Sequence, residues 1–286
     1  MTQPVSNRAT WSYTDPMTGR VRFCAALLAG LLSNAPAALS AEDGGCRPGG
    51  RLAVAGKVAS VSQTGTIVLE DGQLVRLSGI AVPAADGPQA AEARAALSAL
   101  LLGRPVTLDH VGKADRYARL PADVFIGEGD DRIWLQDRLV AEGLARVQSF
   151  KHNRACTLAL LAREEAARKA RLGVWASPDF AVRATDRPEL LRPLLDTFQI
   201  VEGVVVSTGA AGRTVYLNFG RRWKTDFTGV IATGDLDAFA AAGIFPLKLP
   251  RRRVRLRGWL TEHDGPMMEL DHPEQIELID DGDRYD

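Results

Sequence analysis

The sequence predicts a mainly β fold with packed α-helices, arranged as two small barrels in series. Two clusters of short β-branched runs, within 52–147 and 200–279, predict it. Each cluster contains a helical stretch, and a segment holding Pro178, Pro188 and Pro193 separates them.

In the first cluster Ala53–Val61 reads as a strand with polar alternation. Thr66–Leu69 and Leu74–Leu77 read as a hairpin whose turn is Asp71-Gly72. Pro88 to Leu102 has helical periodicity and stops at Gly103. Val106–Leu108 and Leu120–Ile126 are two further strands. Ile133 to Val147 reads as one amphipathic helix. Thr157 to Leu172 reads as another, closed by Gly173. Strands, a helix, strands and then helices is the order of an OB-type barrel with packed helices.

Residues 177–198 read as a linker. Strands resume at Val201–Ser207, followed by a Gly/Ala turn at 209–212 and by Arg213–Phe219. Asp235 to Ala242 fits a short helix. Arg253–Leu260, Met267–Leu270 and Gln275–Ile279 complete about five strands, so a second, smaller OB-like barrel is expected over 199–279. The tail 280–286 is acidic and expected to fray.

Charge balances, with 35 basic and 35 acidic residues, so no global field argues for nucleic acid and any polyanion site must be local. Near the N-terminus Phe23–Leu32 is an apolar run of ten, preceded by Arg20 and Arg22. It is followed by Ala35-Pro36-Ala37, with Leu39-Ser40-Ala41 as a second small-residue site. Residues 1–41 therefore read as a signal-peptide region, with Met17 as an alternative start, and a periplasmic or secreted location is expected. The run is too short for an ordinary membrane span. Export would remove Cys24 and leave Cys46 and Cys156 in an oxidising compartment, where a disulfide is expected. Such a bridge closes a loop of roughly 110 residues and contributes on the order of 4–5 kcal/mol in the chain-entropy view.

Two short motifs carry the chemistry. One is Val75-Arg76-Leu77-Ser78-Gly79-Ile80-Ala81-Val82-Pro83, the other Asp115-Arg116-Tyr117-Ala118-Arg119. Together with Leu139–Val147 and the run from Glu164 to Trp175, they make residues 52–176 resemble the staphylococcal nuclease (thermonuclease) family. That family reads V-R-L-x-G-I-D-x-P-E and then D-[RK]-Y-G-R. The resemblance implies a calcium-dependent phosphodiesterase fold. Arg76 and Arg119 match its two arginines, whose forked donors suit phosphate, and Tyr117 matches the aromatic beside them.

The carboxylates that the resemblance leads one to expect are missing. Gly65 stands at the first calcium-ligand position, with Thr66 retained beside it. Ala81 stands at the second ligand position and Ala84 at that of the general base. Calcium affinity depends on ligand charge, so no metal or cofactor is expected. The leading expectation is a thermonuclease-like protein with a degenerate site that binds nucleic acid or a protein partner. An active calcium-dependent endonuclease, with Asp86 replacing a lost carboxylate, is one alternative. A structural envelope interaction module is another.

The second barrel adds Phe219-Gly220-Arg221-Arg222-Trp223-Lys224, where basic and aromatic residues interleave as on a single-strand binding surface. Arg253, Arg255 and Arg257 alternate along one strand and are expected to line one face. Trp223, Arg255 and Arg257 therefore join Arg76, Arg119 and Tyr117 as candidate nucleic-acid contacts. Against this, residues 200–279 hold ten basic and ten acidic side chains, so the domain is not basic overall. His263 and His272 show no partner pattern and read as surface residues.

Overall fold

The computed structural model describes residues 53–83, 87–128 and 132–279, with the backbone alone for 53–55. The expected signal region, Cys46, Ala84, Asp86 and the acidic tail lie outside the described residues.

The first barrel is built from β1 (Ala53–Val61), β2 (Ile67–Leu69), β3 (Leu74–Leu77), β4 (Ile80–Ala81), α1 (Pro88–Leu101), β5 (Pro105–His110) and β6 (Arg119–Ile126). β1 pairs antiparallel with β2 and β5, β2 with β3, and β5 with β6. A parallel pairing of β3 with β6 closes the ring. This is the OB connectivity, with α1 between the third and fourth barrel strands. Ile67, Val75, Leu97, Leu108 and Val124 fill the interior, and none has measurable exposure.

The helix expected over Ile133–Val147 is shorter in the structure. It resolves into β7 (Ile133–Trp134), α2 (Leu135–Ala141) and β8 (Arg146–Val147). Gly143 ends it with a φ of 71°, and a Cβ there would lie 2.3 Å from the Leu172 carbonyl oxygen. Gly173 meets the Gly143 carbonyl oxygen at the same distance. The two glycines let the chain cross where α3 (Thr157–Lys169) ends, and the Val174 N–H donates to the Gly143 carbonyl at 2.8 Å. A helix continuing to Val147 would not permit that crossing.

The second barrel follows the same plan. Its strands are β9 (Arg183–Ala184), β10 (Phe198–Val204), β11 (Ser207–Ala211), β12 (Thr214–Asn218) and β13 (Thr228–Ala232). After α4 (Leu236–Ala241) come β14 (Arg253–Glu262), β15 (Pro266–Leu270) and β16 (Ile276–Ile279). β10 and β11 act as one bent first strand, hinged at Val205-Val206. The first half pairs with β14 and the second with β12. β13 then runs parallel to β15, as β3 does to β6. Most of the Gly/Ala segment expected as a turn, residues 209–211, belongs to β11, and the turn falls at Gly212-Arg213. β13 carries a weak sequence signal because Gly229 interrupts it.

The stretch 177–198 does not act as a spacer. β9 adds to the sheet beside β10, and Leu191 is fully buried in the second core. The described residues belong to one compact unit. α3 presents Glu164, Glu165 and Arg168 to β14 of the second barrel. There Arg257 Nη2 donates to Glu164 at 2.7 Å and to Glu277 at 2.5 Å, and its Nη1 to the Val147 carbonyl at 3.0 Å. Arg255 pairs with Glu202 at 2.8 Å and with Glu165 and Glu277 at 3.3 Å. Arg154 adds a two-pronged bond to Glu274, at 2.7 and 2.9 Å. Burial lowers the proton affinity of Arg257, but the carboxylates of Glu164 and Glu277 outweigh it and raise its pKa. Burial likewise opposes charge on Glu277, yet Arg257 and Arg255 hold its pKa below the ordinary value.

Candidate nucleic-acid interface

The parallel closure of the first barrel brings the two motif arginines together. In β3, Val75 and Leu77 point into the core and Arg76 points out. In register, Leu74 lies beside Arg119 and Arg76 beside Pro121. Both guanidinium groups flank Asp115, which sits in the loop before β6. Arg119 donates to it from Nε at 2.9 Å and Nη2 at 2.8 Å, while Arg76 Nε lies 4.0 Å away.

Asp115 also shapes the loop. Its Oδ1 accepts from the backbone N–H of Tyr117 at 2.9 Å and of Arg119 at 3.1 Å. Desolvation opposes its charge, but the Arg119 guanidinium and these two N–H groups prevail and lower its pKa. Arg76 has a lowered pKa, through burial first and then the neighbouring Arg119 charge. Its Nε is buried and has no hydrogen-bond partner among the described residues. Its guanidinium also stacks over Phe150, 5.4 Å from the ring centroid. Phe150 did not stand out in the sequence, because no motif spacing marks it. Tyr117 is 59% exposed, and Arg116 and Arg119 pack against its ring. Two cations facing one carboxylate leave a net positive, partly desolvated patch with a free donor.

The segments that the resemblance assigns to calcium do converge. A Cβ on Gly65 would lie 3.4 Å from Val82 Cβ, and Ala81 pairs with Arg146 across β4 and β8. Among the described residues the side chains at these positions do not suit a hard dication. Gly65 and Ala81 offer no side-chain oxygen, and the Thr66 hydroxyl lies in a chain with Thr64 at 3.4 Å. No group of three or more His, Cys, Asp or Glu that could hold a metal occurs among the described residues.

The expected arginine face on β14 needs correction. Arg255 and Arg257 are each 1% exposed, because α3 and β16 cover that strand and their glutamates engage both guanidinium groups. They face the seam between the barrels rather than solvent. His272 was also expected at the surface and is 1% exposed in the same seam, whereas His263 is exposed. Trp223, by contrast, is at the surface as expected. It is 57% exposed, with Lys224 Nζ 5.2 Å from its ring, and it borders a cavity of about 450 Å³ with Tyr216, Asn218, Val230 and Met267. The structure thus gathers Arg76, Arg119 and Tyr117 at one place and sets Trp223 at another.

Residues 74–177 match the family model for staphylococcal nuclease homologues. The match begins at β3 and ends just beyond α3, so it contains Arg76, Ala81 and Arg119 and stops short of the second barrel. The chain therefore carries a nuclease-fold domain. No curated protein matched the chain. No described helix is long and apolar enough to cross a membrane.

Proposed function

We propose that this is an exported, non-catalytic protein of the nuclease fold that binds single-stranded nucleic acid. The observation that carries the reading is the Arg76–Asp115–Arg119 arrangement. Two guanidinium groups share one carboxylate, and the buried Arg76 Nε has no partner among the described residues. A phosphodiester oxygen is an acceptor of the right charge for that donor, and Tyr117 offers a ring face beside it. Trp223 supplies a second stacking surface on the other barrel. A calcium-assisted reaction also needs anionic oxygens for the metal and a group to activate water. Gly65, Ala81 and Ala84 supply neither, so binding without cleavage is the chemistry this residue set fits.

Export is the companion proposal, resting on the apolar run Phe23–Leu32 and the small-residue site after it. The Cys46–Cys156 bridge belongs with it. Cys156 is buried beside the start of α3 and is disulfide-bonded, which supports that pairing.

The deciding experiment combines calcium titration calorimetry with fluorescence anisotropy of a labelled single-stranded oligonucleotide. The expected result is no calcium heat and an affinity that falls as salt rises, because bound phosphates release counterions. Arg76→Ala with Arg119→Ala should abolish the anisotropy change. Calcium-dependent cleavage by the wild type, lost in Arg76→Ala, would overturn the proposal in favour of an active endonuclease. Salt-independent binding, or none, would favour a protein partner.

A further inference from the structure

Where the two barrels meet, three side chains stand in the order of a nucleophile, a base and an orienting acid. Ser149, in the loop after β8, comes from the first barrel. Asp271 and His272, just after β15, come from the second. Ser149 Oγ lies 2.7 Å from His272 Nε2, and His272 Nδ1 lies 2.5 Å from Asp271 Oδ1. A carboxylate only accepts, so Nδ1 must carry a proton. In the neutral ring Nε2 is then the acceptor, and the Ser149 hydroxyl donates to it. That is the tautomer a serine nucleophile requires.

All three residues line one groove of about 250 Å³. Its walls include Phe150, Phe198 and Trp259, the last 55% exposed. The same groove is lined by Arg257, whose Nε is buried and has no hydrogen-bond partner among the described residues. A buried N–H without an acceptor calls for an explanation, and an oxygen bound in the groove would provide one.

We propose that Ser149, His272 and Asp271 form an acyl-transfer site for small carboxylic esters. The catalytic residues are Ser149 and His272, and Asp271 is a positioning residue. Ser149 Oγ bonds to the ester carbonyl carbon as its proton passes to His272 Nε2. The carbon–oxygen bond to the leaving alcohol breaks, and His272 returns the proton to that alcohol. Water then attacks the acyl-serine, giving its proton to His272, which passes it to Ser149 Oγ as the carboxylic acid departs. Ester and water become acid and alcohol, with no other reactant. The groove volume limits the substrate to a compact ester, and the aromatic walls suit an apolar acyl group. Glu269 and Asp271 at the groove favour neutral or cationic esters over anionic ones. The site is separate from the arginine patch. Phe150 borders both, stacking under Arg76 and lining the groove.

The test treats the full protein with a fluorophosphonate probe and, separately, with p-nitrophenyl acetate. Adducts are located by peptide mass spectrometry. The expected result is one phosphonyl group on Ser149 and nitrophenol release that continues beyond one equivalent. Ser149→Ala should lose both while its melting temperature stays near that of the wild type. His272→Gln should slow acylation about a hundredfold. Asp271→Asn should slow it without changing the melting temperature, and Asp271→Glu should recover part of the rate. Because Ser149 is buried, Ser149→Cys serves as a second variant. Its thiol should react with iodoacetamide faster than it does in the Ser149→Cys, His272→Gln double variant. No adduct at Ser149, or release unchanged in Ser149→Ala, would overturn the proposal and leave the three residues as a hydrogen-bonded fastening of the seam. Neither outcome bears on oligonucleotide binding at Arg76.

Discussion

Arg76 and Arg119 share one carboxylate, whereas Arg255 and Arg257 divide four glutamates between them. The first pair keeps roughly a quarter of each side chain exposed, and the second keeps 2% and 1%. Both pairs lie on strands of barrels with the same connectivity, and both read in the sequence as candidate nucleic-acid contacts. They differ in what packs over the strand. β3 and the start of β6 leave Arg76 and Arg119 partly exposed, with Phe150 beside Arg76, whereas β14 is covered by α3 and β16. One pair therefore has a single carboxylate to share and the other has four. A guanidinium short of acceptors can take up a phosphate. One engaged by several glutamates from both barrels serves to hold two domains in register.

The sharpest way to break this comparison is to remove an arginine of the seam. Arg257→Ala removes the nearest cation from buried Glu164 and from Glu277, leaving only Arg168 and Arg255 beside them. A loss of about 3–5 kcal/mol is expected by urea denaturation, together with a drop in cooperativity if the barrels separate. A loss under about 1 kcal/mol would show that the seam does not depend on the pair. The lowered pKa of Glu277 gives the same interaction a pH signature. Its contribution is present above the ordinary carboxylate value and is lost as pH falls through the lower folded one. Wild type and Glu277→Gln should therefore converge in acid.

Asp123 sharpens the contrast, being a buried carboxylate with no arginine. It is 6% exposed, accepts from the Ser78 hydroxyl at 2.9 Å, and sits across the strands from Asp109. Burial raises its pKa to about 6, with the Asp109 charge adding to the shift and the Ser78 bond opposing it. A raised folded value means that the native state holds the proton more tightly than the unfolded chain does. The resulting stability is complete below the unfolded pKa of 3.8 and is lost as pH rises through about 6. Asp123→Asn should thus be more stable than wild type at pH 7, by up to about 3 kcal/mol, and gain nothing below pH 4. Urea melts at the two pH values decide it. An equal gain at both would mean that packing rather than ionisation is responsible.

Trp223→Ala tests whether the second barrel shares in binding. Its ring is exposed, so stability should change little, while oligonucleotide affinity should weaken by about 1–3 kcal/mol. Unchanged affinity would confine binding to the Arg76 patch. Ala118 carries the smallest expected effect. It sits in the Asp115–Arg119 loop with a φ of 58°, at the position where the family motif has glycine. Ala118→Gly should relieve left-handed strain and gain up to about 1 kcal/mol by thermal melting. No gain would mean that the lost backbone entropy cancels the relief.

The sequence alone was enough to find the barrel order, because strand alternation, the helix stop at Gly103 and the hairpin turn are local signals. It also singled out Arg76, Arg119 and Tyr117, which the structure brings together, from motifs that keep these residues while Ala81, Ala84 and Ala118 depart from the family pattern. The end of α2 was not legible, because it depends on the Gly143 backbone meeting Leu172, some thirty residues further on. The fate of Arg255 and Arg257 was not legible either. Alternation along β14 says which residues share a face and nothing about whether α3 covers it. His272 was read as a surface residue for the same reason, since its partner Ser149 lies on the other barrel. Local chemistry fixes which side chains are available. Long-range packing determines their burial and partners, and so whether a cation is free to bind a ligand or is committed to holding the fold together.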